Sequence, residues 1–264
     1  MVISVINNKG GTGKTSISVN LAAALANWDY KVLLIDLDSQ ASATFHLGIS
    51  RRDLQPSIAD VLFDELPLIK ASRKTIIQGL TLITGGMDLA HSDLVLADVA
   101  GREDCLLKAI EPIRNKYDFI FCDCSPSLST LSVNALVASD YYIVPIVPQY
   151  LALEGLISLM EAVDRINQGI GLKAKLLGIV INMVSTVSQQ TRSQKDIIGL
   201  VREHYGETVF NNFIKRYAKL EEAPAYGSSI FEYAPKSPAA LQYTILAREM
   251  LNRCGIADKP YKYC

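Results

Sequence analysis

Short apolar runs recur at residues 2–6, 31–37, 80–84, 117–124, 141–148 and 176–182, separated by stretches with helical spacing or turn residues. The first, Val-Ile-Ser-Val-Ile, is mostly β-branched and predicts a strand, and residues 17–25 place apolar side chains at helical spacing and predict a helix. The run at 31–37 is almost continuously apolar, the pattern of a strand buried on both faces of a parallel sheet. A second helix is predicted over 94–113, with a charged face, and a last one over 239–252. Ser57 opens a short helical pattern, since its hydroxyl can bond the free N–H groups of a first turn. Elsewhere between 41 and 79 the chain has no readable period.

The 264 residues are 49% apolar and 20% charged, with no repeat, linker or low-complexity segment, so a single domain over 1–264 is expected. A net charge of −1 excludes a global basic footprint, and any nucleic-acid binding must come from a local patch. Five cysteines without Cys-x-x-Cys spacing argue for reduced thiols in a cytosolic protein. Cys122 and Cys124 alternate along a predicted strand and read as core. His46, His91 and His204 lack ligand spacing to any cysteine. Because the first residues already form a strand, no signal peptide is expected, and no apolar run approaches the ~20 residues of a membrane span.

Chemistry concentrates between the first strand and the first helix, in Asn7-Asn8-Lys9-Gly10-Gly11-Thr12-Gly13-Lys14-Thr15-Ser16. Glycines let the backbone approach phosphate oxygens, and the N–H groups and positive dipole end of the following helix favour the anion. In such a loop Lys14 reaches the β- and γ-phosphates of ATP and the Thr15 hydroxyl ligates Mg²⁺. Gly10, Gly11, Thr12, Gly13 and Ser16 complete the candidate nucleotide cradle. Asp36 and Asp38 emerge where the run at 31–37 ends, and Asp123 ends another; open α/β sheets bind ligands at the carboxyl ends of their strands.

The loop departs from G-x-x-x-x-G-K-[ST] in having Asn8 for the first glycine and an added Lys9. Its K-G-G-x-G-K-T form resembles the deviant Walker A motif of the ParA/MinD/Soj class of P-loop ATPases. The resemblance implies a three-layer α/β fold of the P-loop NTPase type, a mostly parallel sheet with helices on both faces. It further implies that Lys9 crosses to the ATP of a second subunit, with Lys9, Lys14 and Asp38 acting in catalysis. Asp36-Leu37-Asp38-Ser39-Gln40 resembles the family's D-x-D-P-Q segment with Ser39 for proline; by that likeness Asp38 orients the attacking water and Asp36 supports the Mg²⁺ shell. Residues 117–127 resemble Y-D-x-I-x-x-D-x-P-P-S with Ser125 for the first proline, which makes Asp123 the Walker B carboxylate, the third metal-site residue with Thr15 and Asp36. Residues 149–156 resemble the segment at the family's dimer face. Asn182 matches a position that reads the adenine edge, although an amide at a strand end is also an ordinary turn former.

From Arg192 to Lys219 six basic residues face three acidic ones, and Glu221 and Glu222 follow directly. Charge alone fits a solvated helix face equally well. Residues 213–224 resemble the I-P-R-x-x-x-L-x-E-A-P segment of partition ATPases, which implies DNA contacts by Arg192, Lys195, Arg216 and Lys219. Lys215 replaces the proline that lines the adenine pocket, and Val184, just before Ser188-Gln189-Gln190, stands where relatives place a DNA-binding arginine. The implied protein is a cytoplasmic, Mg²⁺-dependent ATPase that forms an ATP-dependent homodimer. It would associate with the nucleoid through nonspecific DNA binding and answer to a ParB-like or other adaptor. Residues 254–264 carry two lysines and no apolar face, so membrane attachment is not expected. Two other readings remain open: a metabolic P-loop enzyme of the dethiobiotin-synthetase type and a MinD-like membrane positioner.

Overall fold

The computed structural model describes residues 1–185 and 190–257. Seven strands form one sheet: β1 (Val2–Val5), β2 (Val32–Leu37), β3 (Ser72–Lys74), β4 (Leu80–Ile83), β5 (Phe119–Cys124), β6 (Tyr141–Ile146) and β7 (Lys175–Ile181). Their order is β3-β4-β2-β5-β1-β6-β7. Every pairing is parallel except β3 with β4, which is antiparallel. The expected mostly parallel sheet is therefore found, with one short edge strand, Ser-Arg-Lys, whose polar sequence carries no strand period.

Helices cover both faces. Successive residues of β1 belong to opposite cores, as side-chain alternation requires. Ile3 packs with Ile17, Leu21 and Trp28 of the α1 side (α1, Lys14–Ala26) and with Tyr243 and Leu246 of the last helix, Pro238–Arg253. Val2 and Ile6 pack with Leu106, Ile110, Leu136 and Leu159 beneath the other face. Each such aliphatic side chain contributes roughly 1.5–3 kcal/mol when fully withdrawn from water. Cys122 and Cys124 lie fully within β5, and Cys105 and Cys254 are likewise free thiols.

The helix expected over 94–113 is corrected. The chain forms Ser92–Val95, a tight turn at Arg102–Asp104, Cys105–Ile110 and a 3₁₀ turn at Glu111–Lys116. Gly101 takes φ 69°, outside helical space, and Pro112 offers no N–H to a continuing helix. Leu106, Ile110 and Ile113 remain buried, which is why the period looked continuous, while Leu94 is 77% exposed. The Ser57 helix forms as read: α3 (Ile58–Phe63), after α2 (Ser42–His46), opens with a capping box in which Asp60 accepts from the Ser57 N–H at 2.7 Å.

The parallel topology places the carboxyl ends of β1, β2, β5, β6 and β7 on one edge. In register, Val5 pairs with Asp123 and Asp36 pairs with Asp123. That edge carries the candidate site.

Candidate nucleotide-binding site

The loop from β1 to α1 reverses because Gly11 and Gly13 adopt φ of 71° and 86°, a region that strains any side chain. Gly13 is needed twice over, since a Cβ there would lie 2.0 Å from Asn182 Nδ2. At Gly10 and Gly11 an added Cβ would meet nothing within 4 Å, so their backbone borders open space. α1 starts without a side-chain cap, which leaves its first N–H groups turned to that space. The result is a cavity of about 390 Å³ lined by residues 10–16, Asp38, Ser42, His46, Pro126, Met183 and Pro224.

Lys14 is only 7% exposed, and its ammonium donates to the Lys9 carbonyl at 3.1 Å. Burial lowers its pKa, opposed by the nearby charges of Asp123 and Asp38. A buried cation with a backbone carbonyl as partner, where a glycine loop runs into a helix, suits an anion. Opposite it, Asp123 accepts from Thr15 Oγ1 at 2.7 Å and from Ser18 Oγ at 2.8 Å. Asp36 accepts from the Thr44 N–H at 2.8 Å, the Thr44 hydroxyl at 2.7 Å and the Asp38 N–H at 3.1 Å. Both carboxyls are wholly buried. Desolvation raises both pKa values; at Asp123 the Asp36 charge adds to the rise, and the Thr15 and Ser18 hydrogen bonds with Lys14 oppose it. Carboxylate and hydroxyl oxygens held around excess negative charge are the donor set that Mg²⁺ takes. The residues present therefore fit ATP with Mg²⁺: Thr15 and Asp123 would hold the ion, while Asp36, its oxygens engaged, holds α2 and the Asp38 backbone in place.

Asp38 lines the cavity, with its Oδ1 accepting the Gln40 N–H at 3.0 Å. Lys9 points elsewhere. Its ammonium donates to the Leu151 carbonyl of the same chain at 2.8 Å and crosses Gly155, where a Cβ would stand 2.4 Å from Lys9 Nζ. Leu151 itself has φ 66° at the start of the helix Ala152–Ile170. Asn182 is buried and donates to the Thr12 carbonyl at 2.9 Å, so in this structure its amide ties the end of β7 to the phosphate loop. Lys215 is half-buried and outside the cavity lining; its N–H donates to Gln242 Oε1 at 2.9 Å, and it bridges to Val184. Val184 is core, 1% exposed, and faces no solvent that DNA could occupy.

The candidate DNA residues are exposed, and two of them, Arg216 and Lys219, are engaged locally. Arg192 and Lys195 lie on the first turn of the helix Arg192–Tyr205. Arg216 pairs with Glu221 at 2.9 Å, and Lys219 pairs with Glu222 at 3.5 Å and lies over the Tyr233 ring. Ser188 and Gln189 lie outside the described residues.

The sequence profile of a family described as an AAA domain matches residues 1–177. The sporulation initiation inhibitor protein Soj of Bacillus subtilis is 35% identical over 249 residues, 94% of this chain and 97% of that protein. The chromosome partitioning protein ParA of Caulobacter vibrioides is 36% identical over 257 residues, covering 96% and 94%. The chain belongs to the ParA/Soj family of P-loop ATPases. Among solved structures, cobyrinic acid a,c-diamide synthase from Mycobacterium smegmatis with bound ADP and magnesium superposes with a TM-score of 0.83 at 29% identity, covering 100% and 99%.

Family membership explains the loop and the three aspartates, but four contributors escaped the sequence reading. Ser18 had a signal: it sits one turn after Thr15 on the same face of α1. Thr44 and His46 follow Asp38 in a segment without period. Gly155 matters only through the path of Lys9, which no spacing encodes.

Proposed function

We propose that this ParA/Soj-family chain hydrolyses ATP with Mg²⁺ and works as a positioning switch. The ATP-bound form is a homodimer that binds DNA without sequence preference, and a ParB-like or other adaptor triggers hydrolysis and release. The cargo is a plasmid, a chromosome region or a protein assembly, and the dimer resides on the nucleoid in the cytoplasm. The observation that carries the reading is the convergence of Lys14 and Thr15 on one glycine-lined cavity, with Asp123 buried behind Thr15 and hydrogen-bonded to it, in a chain similar over nearly its whole length to Soj and ParA.

Lys14 and the N-terminal N–H groups of α1 bind the β- and γ-phosphates, where charge spreads over the transferring group. Thr15 and Asp123 hold Mg²⁺, which when bound supplies further neutralisation of that charge. Asp38 holds a water in line with the γ-phosphate. Lys9 leaves Leu151 to meet the triphosphate of the second subunit, so hydrolysis requires the dimer.

The whole-chain likeness to the Mycobacterium smegmatis structure favours a second reading, a metabolic P-loop enzyme that uses ATP to activate a small substrate. Labelled-phosphate release separates the two. The switch predicts slow Mg²⁺-dependent turnover that DNA and an adaptor stimulate together; turnover that needs an added small carboxylic acid assigns the enzyme. No helix among the described residues is long and apolar enough to cross a membrane. The tail from 258 to 264 lies outside the described residues, and co-sedimentation with liposomes in ATP tests a membrane role directly.

A further inference from the structure

Behind the part of the cavity wall that α2 forms lies a hydroxyl with no exposed surface. Ser42 and His46 of α2 line the cavity, whereas Thr44 between them turns inward and is wholly buried. Its Oγ1 accepts the Gly85 N–H at 3.0 Å, just past the end of β4, and donates to Asp36 Oδ2 at 2.7 Å. An N–H can only donate, so the Gly85 bond leaves the hydroxyl proton to Asp36 and fixes its direction. The Thr44 N–H reaches the same Oδ2 at 2.8 Å, and the other carboxylate oxygen, Oδ1, accepts the Asp38 N–H at 3.1 Å. One chain of hydrogen bonds therefore runs from the end of β4 through α2 and Asp36 to the backbone of Asp38.

Packing holds the same turn. A Cβ on Gly85 would lie 2.6 Å from the Asp38 carbonyl oxygen and 2.9 Å from Asp36 Cγ, so glycine lets the chain after β4 come this close. The turn closes where Ala41, at φ 52°, donates its N–H to the Asp38 carbonyl at 2.9 Å and leads into α2. Asp38 lines the cavity, and a reacting group displaced by ~1 Å can lose on the order of a hundredfold in rate. We propose that Thr44 is a positioning residue for hydrolysis: its hydroxyl orients the Asp36 carboxylate, which holds the Asp38 backbone so that the Asp38 side chain meets the attacking water. The inference rests on the reading that Asp38 acts in hydrolysis.

Thr44→Val keeps the shape of the side chain and removes the hydroxyl, while Thr44→Ser keeps the hydroxyl. For both variants of the full chain, calorimetry gives ATP affinity and its Mg²⁺ dependence, and single-turnover phosphate release gives the rate. Thr44→Val is expected to slow hydrolysis about tenfold, the worth of one hydrogen bond to a carboxylate, with ATP and Mg²⁺ affinity within about twofold. Thr44→Ser should recover most of that loss. In an Asp38→Ala background Thr44→Val is expected to add no further loss, because the side chain it positions is gone. Affinity for ATP or Mg²⁺ that falls as far as the rate assigns Thr44 to support of the binding site and overturns the proposal. Unchanged turnover in Thr44→Val, an equal loss in Thr44→Ser, or an undiminished loss in the Asp38→Ala background overturns it as well. Full turnover in Asp38→Ala alone is a separate outcome, which removes the reading of Asp38 and the proposal with it. Thermal melting shows whether valine is tolerated, since the Gly85 N–H and an Asp36 oxygen lose a partner. If the fold fails, Thr44→Cys, whose thiol is a weaker donor, takes its place with the same expected split between rate and affinity.

Discussion

The phosphate loop and the basic stretch from Arg192 to Lys219 both stand out by residue type, yet they fold into opposite kinds of place. Around the loop, residues from the loop itself, α1, β2, α2 and β5 meet within hydrogen-bond distance: Lys14 on Lys9, Thr15 and Ser18 on Asp123, Thr44 on Asp36. In the basic stretch Arg216 and Lys219 are met by their own neighbours Glu221 and Glu222, and Val184 is core. Buried groups must satisfy one another, so their positions are over-determined; exposed charges are free to pair with whatever is near, and an exposed pair is worth only about 0–1 kcal/mol. A motif that dictates backbone geometry carries more information than a charge count.

The strongest test of that contrast is at the loop. Asp38→Ala is expected to reduce ATP hydrolysis at least about a hundredfold while ATP affinity stays within a few fold, because Asp38 lines the cavity without supporting the loop. Calorimetry and phosphate release measure the two halves, and full turnover in the variant removes Asp38 from the mechanism.

A smaller effect follows from the buried carboxyls. Burial and the Asp36 charge push the Asp123 carboxyl well above the ordinary carboxylate range, so as the pH falls toward the acid side of neutral a proton competes with the cation. Because the shift is upward, Mg²⁺-dependent nucleotide affinity rises with pH between pH 6 and pH 8. An aspartate of ordinary pKa would give no such rise. Affinity that is flat over this range in the wild type, or a rise equally large in Asp123→Asn, contradicts the burial argument.

The smallest effects belong to the basic stretch. Glu221→Gln frees Arg216 and is expected to raise DNA affinity a few fold, and Arg216→Glu to lower it while basal ATPase survives. Binding should fall with salt, and each basic side chain removed from a DNA phosphate should make the slope shallower by about one. Binding that ignores salt, or that depends strongly on sequence, sinks the DNA assignment. Unequal effects of Arg192→Glu and Arg216→Glu would show which half of the stretch meets the phosphates.

The sheet and the loop were legible because their signals are backbone requirements: buried strands read as apolar runs, and φ of 71° and 86° demand glycine. The segment at 94–113 misled because Gly101 and Pro112 interrupt the helix without disturbing its buried face. β3 was unreadable, as three polar residues at an edge need no period. Asn182 could be read as a base reader or a turn former, and the structure gives it a third task, bonding Thr12, which only the close approach of β7 to the loop creates. Thr44 and His46 are placed by the packing of α2 and left no mark on the local pattern.

Lys9 decides the central claim, that hydrolysis belongs to a dimer. Its ammonium turns away from the cavity and is bonded to Leu151 in its own chain, on a loop whose other lysine already holds the phosphate position. Two like charges on one loop are accommodated if the second serves the partner's triphosphate, which makes dimerisation depend on ATP and hydrolysis on dimerisation. Light scattering with ATP and Mg²⁺, in an Asp38→Ala background that suppresses turnover, measures this directly. The 28.9 kDa chain is expected to double its mass with ATP, whereas the version also carrying Lys9→Ala binds ATP and stays monomeric. Dimerisation of the Lys9→Ala protein with unchanged ATP dependence would contradict the claim.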